Sequence, residues 1–149
     1  MGRRQSREVA LQALFQVDVG KADPEYAVNY LALDGGARKD DIDFARELVM
    51  GTLANLQEID RIIALFSKDW QMERMARVDR NIMRISVYEL MHRDDIPPGV
   101  SVNEAVELAK LFGGEDSAKF VNGILGQVVT LPGATGDKED SEVVQRTET

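Results

Sequence analysis

Val78-Asp79-Arg80-Asn81-Ile82-Met83-Arg84-Ile85-Ser86-Val87-Tyr88-Glu89-Leu90-Met91 is the stretch on which the fold turns. Its apolar residues recur around nearly the whole 3.6-residue turn instead of at every second position, so it reads as a helix with no wholly wet side. Such a helix sits at the centre of a bundle and requires other helices around it. Two polar features qualify it. Asp79, Ser86 and Arg93 are spaced by seven and form a narrow strip between apolar flanks, which reads either as a docking seam for a partner or as a solvated seam of the same domain. Glu89 points near Val78, Ile82 and Ile85, so it is expected to be a buried or half-buried carboxylate that needs an arginine or backbone partner.

Working outward, Ile42, Ala45, Leu48, Val49, Leu53, Leu56, Ile59, Ile63 and Phe66 follow the acidic Asp40, Asp41 and Asp43 with one helical period, which predicts a single long amphipathic helix. Trp70 and Met72 fall in a connector. Earlier in the chain, Ala10, Leu11, Leu14 and Phe15 share a face of a first helix that runs to Gly20. Asp23-Pro24-Glu25 then supplies an N-cap, a first-turn proline and a first-turn acid for a short helix ending at Gly35-Gly36. Downstream, Pro97-Pro98-Gly99 breaks the chain, and Ser101-Val102-Asn103-Glu104 has the spacing of a capping box for a helix reaching Phe112 and stopping at Gly113-Gly114. A last helix starts near Asp116 or Ser117 and carries Val121, Ile124, Leu125 and Val128. No stretch alternates like a half-buried strand. The expected fold is all-α, a compact bundle of about six to seven helices within residues 1–131, followed over 132–149 by an acidic, disordered tail.

Composition narrows the chemistry. The 149 residues are 44% hydrophobic and 30% charged, ordinary for one globular core. Cysteine is absent, which removes disulfides, thiolate nucleophiles and cysteine-bound metals. No run of apolar residues is long enough to span a bilayer, and a cytoplasmic location is expected. His92 is the only histidine and has neither a G-x-S-x-G nor an H-E-x-x-H motif beside it; it reads as a helix-end residue near the negative end of the dipole. The aspartate clusters lack the pattern of a calcium loop. No catalytic residue, metal or cofactor is expected, and the chain does not read as an enzyme.

The net charge of −8 is unevenly distributed. The first ten residues are locally basic through Arg3, Arg4 and Arg7, whereas the last sixteen are acidic. Screening over roughly 8 Å lets a basic end act independently of distant acid. On a helical wheel the three arginines continue the stripe of Leu11, Leu14 and Phe15, so a helix packed through its second half would carry guanidiniums past the body, where phosphates and bases can meet them. The alternative is a merely solubilising terminus. A second candidate lies in Gly113–Gly123. There Phe120 sits at the edge of the apolar face and Lys119 farther round, flanking a helix N-terminus that starts near Asp116 and suits stacking plus phosphate contact. Its alternative is a rim phenylalanine packed under the preceding loop.

Taken in order, Arg3-Arg4-Gln5-Ser6-Arg7-Glu8 with Ala10-Leu11-Gln12-Ala13-Leu14-Phe15, Arg77–Ile85 with Tyr88-Glu89-Leu90, Asp95-Ile96-Pro97, Val102–Lys110, and Asp116-Ser117 with Lys119–Leu125 resemble the NusB family. The resemblance covers Arg3 to about Val129. It implies a two-subdomain helical fold divided near Phe66 to Trp70, about 1–67 and 68–131. It also implies a role in transcription antitermination during ribosomal RNA synthesis. Members bind boxA RNA with the NusE ribosomal protein in an antitermination complex with RNA polymerase. By carry-over, Arg3, Arg4, Arg7, Lys119 and Phe120 match RNA-contact positions, Asp116 a functionally sensitive one, and Asp79 a residue facing NusE. The competing reading is a helical protein–protein module or homodimer whose basic end is incidental.

Overall fold

A computed structural model describes residues 2–34, 38–68 and 70–134. Among them the chain forms seven α-helices: α1 (Arg3–Gly20), α2 (Pro24–Asp34), α3 (Lys39–Ala54), α4 (Leu56–Ser67), α5 (Arg77–His92), α6 (Pro98–Gly113) and α7 (Glu115–Val128), with one 3-10 turn at Met72–Arg74 between α4 and α5. No strand occurs among the described residues. The Gly35-Gly36 stop of α2 and most of the acidic tail lie outside them.

α5 is the central helix. It packs against α1, α3, α4, α6 and α7, and Ile82, Met83, Ile85, Val87 and Leu90, which point in different directions around it, are all buried. One contiguous cluster of buried side chains runs from α1 to α7, drawing on residues on both sides of the Phe66–Trp70 region. Polar links reinforce it: Arg80 and Asn81 of α5 bond Asp18 of α1, and Arg84 bonds Asp60 of α4 through both carboxylate oxygens at 2.8 Å. Burial pushes the Asp18 carboxyl up, but the hydrogen bonds from Arg80 and Asn81 and the charges of Arg80 and Arg84 outweigh it and hold its pKa below the ordinary value.

Two local expectations change. The long helix predicted across 42–66 is two helices, because Asn55 leaves helical geometry at φ −116°, ψ 20°. Its side-chain Nδ2 donates to the Gly51 carbonyl at 2.8 Å, competing with the backbone ladder as short amides do. The apolar period continues on both sides of the break, which is why the pattern concealed it; the redirection lets α3 lie on α1 while α4 reaches α5 and α7. The capping box at Ser101 is likewise not used. α6 begins at Pro98, placed in the first turn where a missing N–H costs nothing, so Ser101 is interior and buried. By contrast, the Asp23 cap forms as the sequence indicates, with Oδ2 accepting from the Tyr26 N–H at 2.9 Å.

The contact of α3 with α5 depends on Gly51, where an added Cβ would run into the ring of Tyr88. That ring has little room to yield: its hydroxyl donates to Glu47 Oε2 at 2.9 Å and its face stacks on His92. Overpacking costs about 1–3 kcal/mol, and the helix-propensity gain of alanine offsets roughly 0.5–1 kcal/mol. Gly51→Ala should therefore lower stability by about 1–2 kcal/mol, read as a reduced urea midpoint at unchanged m-value.

Candidate functional site

Three surface features converge around α1, α5, α6 and the start of α7. The first is the N-terminus of α1. Its first backbone return is Ser6 N–H to Gly2 O at 3.0 Å, so the amides of Arg3, Arg4 and Gln5 precede the helical ladder. No side chain caps this end and no acid lies in its first turn, whereas α2, α3, α4, α5 and α7 each carry first-turn acid. The positive end of the α1 dipole is thus left available to an external anion.

The three arginines do not share one fate. The Arg3 side chain is about half exposed; its guanidinium lies 4.7 Å from the Phe44 ring centre and 3.8 Å from Asp95. Arg4 is 62% exposed and donates to Glu104 at 2.9–3.0 Å, a hydrogen bond that raises its pKa further. Arg7, expected to project toward phosphate with them, is instead buried. Its Nε and Nη2 pair with the two oxygens of Glu89, both at 2.8 Å, and Ser101 Oγ donates to Glu89 Oε1 at 2.9 Å. Arg7 lies four residues past Arg3, about one turn into α1, and is already inside the body there, earlier than the apolar stripe alone indicated. Glu89 receives the arginine partner its position requires, and that partner is Arg7.

The proposed polar strip on α5 is closed. Ser86 is buried and donates to the Ser101 carbonyl, and Arg93 bonds Glu47 at 2.7 Å and Asp95 at 2.9 Å. Those bonds from Arg93 hold the Asp95 carboxyl down at about 2, while burial, then the hydrogen bond to Glu47 and its charge, push the Tyr88 phenol up to about 12. Asp79 is only 7% exposed, so it forms no open rim.

The second feature is a cleft of about 300 Å³ beside the start of α7, lined by Trp70, Arg74, Met75, Ala76, Asp79, Asp116, Ser117 and Phe120. Gly114, at φ 93°, makes the turn from α6 into α7. Asp116 and Lys119 are exposed and Phe120 is half-buried, its ring meeting Trp70 edge-on with centroids 6.0 Å apart. Phe120 thus packs on Trp70 of the α4–α5 connector, not under the loop that precedes α7, and its ring borders the cleft. The third feature is an apolar groove of about 290 Å³ formed by Leu11, Phe15, Leu31, Val78 and Phe112 with Gln12 and Gln16. Phe15 and Phe112 are each 38% exposed and the neighbouring Leu111 66%.

The sequence puts Phe15 on one face with Ala10, Leu11 and Leu14 and Trp70 in a connector, and neither position by itself indicates the groove or the Trp70 side of the cleft. The available signal was a lone tryptophan in a polar connector. Among the described residues no cluster of three or more potential ligands could hold a metal ion, and no helix is long and apolar enough to cross a membrane.

Residues 4–130 match the model of the NusB family. The chain belongs to the NusB family. A transcription antitermination protein NusB from Desulforamulus reducens is 57% identical over 129 residues, covering 87% of this chain and 90% of the relative. The family fold is equally clear in solved structures: T. maritima NusB superposes with a TM-score of 0.84 at 36% identity, covering 95% of this chain and 98% of that one. A crystal structure of the antitermination factors NusB and NusE in complex with double-stranded RNA matches with a TM-score of 0.78 at 29% identity, covering 86% of this chain and 96% of that one.

In this NusB-family chain the Arg7–Glu89 pair joins α1, α5 and α6, and removing one buried partner strands the other charge at a cost of about 3–5 kcal/mol. Glu89→Leu should show that loss in urea unfolding, and Arg7→Met combined with it should recover most of the stability. Equal destabilisation by the single and double variants would show that the loss comes from the missing pair itself and not from a stranded charge.

Proposed function

We propose that the chain is a transcription antitermination factor that binds boxA RNA of ribosomal RNA transcripts together with the NusE ribosomal protein, within an antitermination complex with RNA polymerase. The observation that carries the reading is the uncapped, acid-free start of α1 with the exposed guanidiniums of Arg3 and Arg4 beside it, on a chain whose overall charge is −8. Membership of the family supports it, as does the solved complex of two such factors with RNA.

Arg3 and Arg4 take phosphates by exchanging their exposed contacts with Asp95 and Glu104 for phosphate oxygens. Arg7 acts behind them by fixing the angle at which α1 leaves the body. Lys119 adds a further cation and Phe120 a stacking face, with Asp116 in the first turn of α7. α6 connects the two ends: from Glu104, which holds Arg4, to Gly113 the helix rises about 14 Å.

NusE docks on the apolar groove of Phe15, Val78 and Phe112. Val78 lines this groove and Asp79, the next residue of α5, lines the cleft, so protein and RNA meet across a single turn. Asp79 contributes from beneath that junction and not as a rim charge.

Each phosphate contact on single-stranded RNA contributes roughly −0.7 to the log–log salt slope. Replacing Arg3 and Arg4 together with glutamine should flatten the slope for boxA RNA by about 1.4 without changing the melting temperature, as read by fluorescence anisotropy across a salt series. An unchanged slope in folded protein removes the α1 arginines from the phosphate contact. For the protein partner, Phe15→Asp should weaken NusE binding at least about tenfold, as expected for a charge placed in an apolar interface centre. Retained NusE affinity together with loss of a dimer in sedimentation would instead assign the groove to a second copy of this chain.

A further inference from the structure

Beside the start of α1, Phe44 of α3 is only 8% exposed, and the guanidinium carbons of Arg3, Arg93 and Arg7 lie 4.7, 5.2 and 5.5 Å from the centre of its ring. Two of these arginines do not depend on the ring. Arg7 is fixed by two hydrogen bonds to Glu89, and Arg93 by two to Asp95 and one to Glu47. Arg3 has no anchor of that kind. Its contact with Asp95 Oδ2 is 3.8 Å, too long for a hydrogen bond, and that oxygen already accepts from Arg93 at 2.9 Å. The carboxylate holds Arg3 loosely, and the ring, which Arg3 approaches most closely of the three, completes the hold.

The two kinds of contact behave differently when a phosphate arrives. An arginine side chain loses rotamer freedom when it is pinned against an anion, and that loss subtracts from affinity unless the side chain is already ordered. A carboxylate contact cannot supply this order in the bound state, because the phosphate replaces it: Arg4 must release its 3.0 Å hydrogen bond to Glu104, and Arg3 its contact with Asp95. The attraction of a cation to a ring face acts on charge and uses no N–H donor. It survives the exchange and leaves the donors of Arg3 to the phosphate oxygens.

We propose that Phe44 is a positioning residue for RNA binding: its ring holds the Arg3 guanidinium where it meets phosphate, in the free chain and in the complex alike. α3 thereby takes part in RNA binding without touching RNA, since the ring is buried behind the arginine. The inference rests on the RNA-binding reading above and gives the two exposed arginines different parts. Arg3 is ordered beforehand, whereas Arg4 is recruited from Glu104.

Phe44 also belongs to the apolar core, so the charge distribution of its ring is varied at nearly constant shape. Site-specific replacement of Phe44 by 4-fluoro-, 3,5-difluoro- and 3,4,5-trifluorophenylalanine withdraws electron density from the ring face stepwise, and Phe44→Leu removes the ring. The affinity for boxA RNA, followed by anisotropy of the labelled RNA, should fall with each added fluorine and be lower by about two- to fivefold in the trifluoro form and in Phe44→Leu. In an Arg3→Gln background the same replacements should leave affinity unchanged, whereas in an Arg4→Gln background the stepwise loss should persist. The fluorinated series decides the matter even where Phe44→Leu lowers the melting temperature. Affinity indifferent to fluorination, or a loss equally large in the Arg3→Gln background, overturns the positioning role and leaves the RNA-binding reading standing. A folded chain that gives no anisotropy change with boxA RNA overturns both.

Discussion

The buried ion pair between Arg7 and Glu89 is the constraint on which the rest depends. It ties the first turns of α1 to the last turn of α5, and through Ser101 and the nearby Glu104 it extends to α6. Apolar packing alone tolerates sliding and rotation between helices, because many registers bury similar area. A bidentate guanidinium–carboxylate contact does not, since both parallel bonds fail together when either helix turns. The pair is weak support for net stability, as its desolvation offsets much of its attraction, but it fixes where α1 ends and hence where Arg3 and Arg4 stand.

That placement links the core to the function. Arg3 and Arg4 are the only arginines of the stripe left outside, and both are held in place by carboxylates that water still reaches, Asp95 and Glu104. Exposed ion pairs of this kind contribute little to stability and exchange readily for a phosphate. The Phe44 ring, with the guanidiniums of Arg3, Arg7 and Arg93 all within 5.5 Å of its centre, serves as a platform between the buried and exposed parts of the cluster. On the other side of α5, consecutive residues face different surfaces, Val78 the apolar groove and Asp79 the cleft. A partner bound in the groove therefore touches the same helical turn that borders the cleft beside α7, which gives a physical route for joint binding without any movement of the fold.

Much of this was legible in the sequence. The all-round apolar pattern of Val78–Met91 identified the central helix, the Asp23-Pro24-Glu25 signal placed the start of α2, and Glu89 announced its need for a partner. The break at Asn55 was not legible, because a helix interruption that preserves the apolar period leaves no trace in that period. Arg7 was misplaced for a related reason: a wheel gives the direction of a side chain but not the depth at which the body begins, and an arginine on an apolar stripe can be either its exposed extension or its buried anchor. Ser101 matched a capping box by spacing, yet Pro98 had already started the helix and freed the hydroxyl for Glu89. The groove and cleft depend on residues far apart in sequence, Phe15 with Phe112 and Trp70 with Phe120, whose proximity no local pattern encodes.

The central claim is that RNA is bound on one surface running from the start of α1 along α6 to the start of α7. Amide chemical-shift mapping of the isotope-labelled chain during titration with boxA RNA tests it most directly. The account predicts saturable shifts at the amides of Arg3, Arg4 and Gln5 and of Asp116 to Phe120, together with the indole N–H of Trp70, and little change along the solvent faces of α2 and α3. Shifts centred on α2 and α3, with the α1 and α7 starts unmoved, would contradict it.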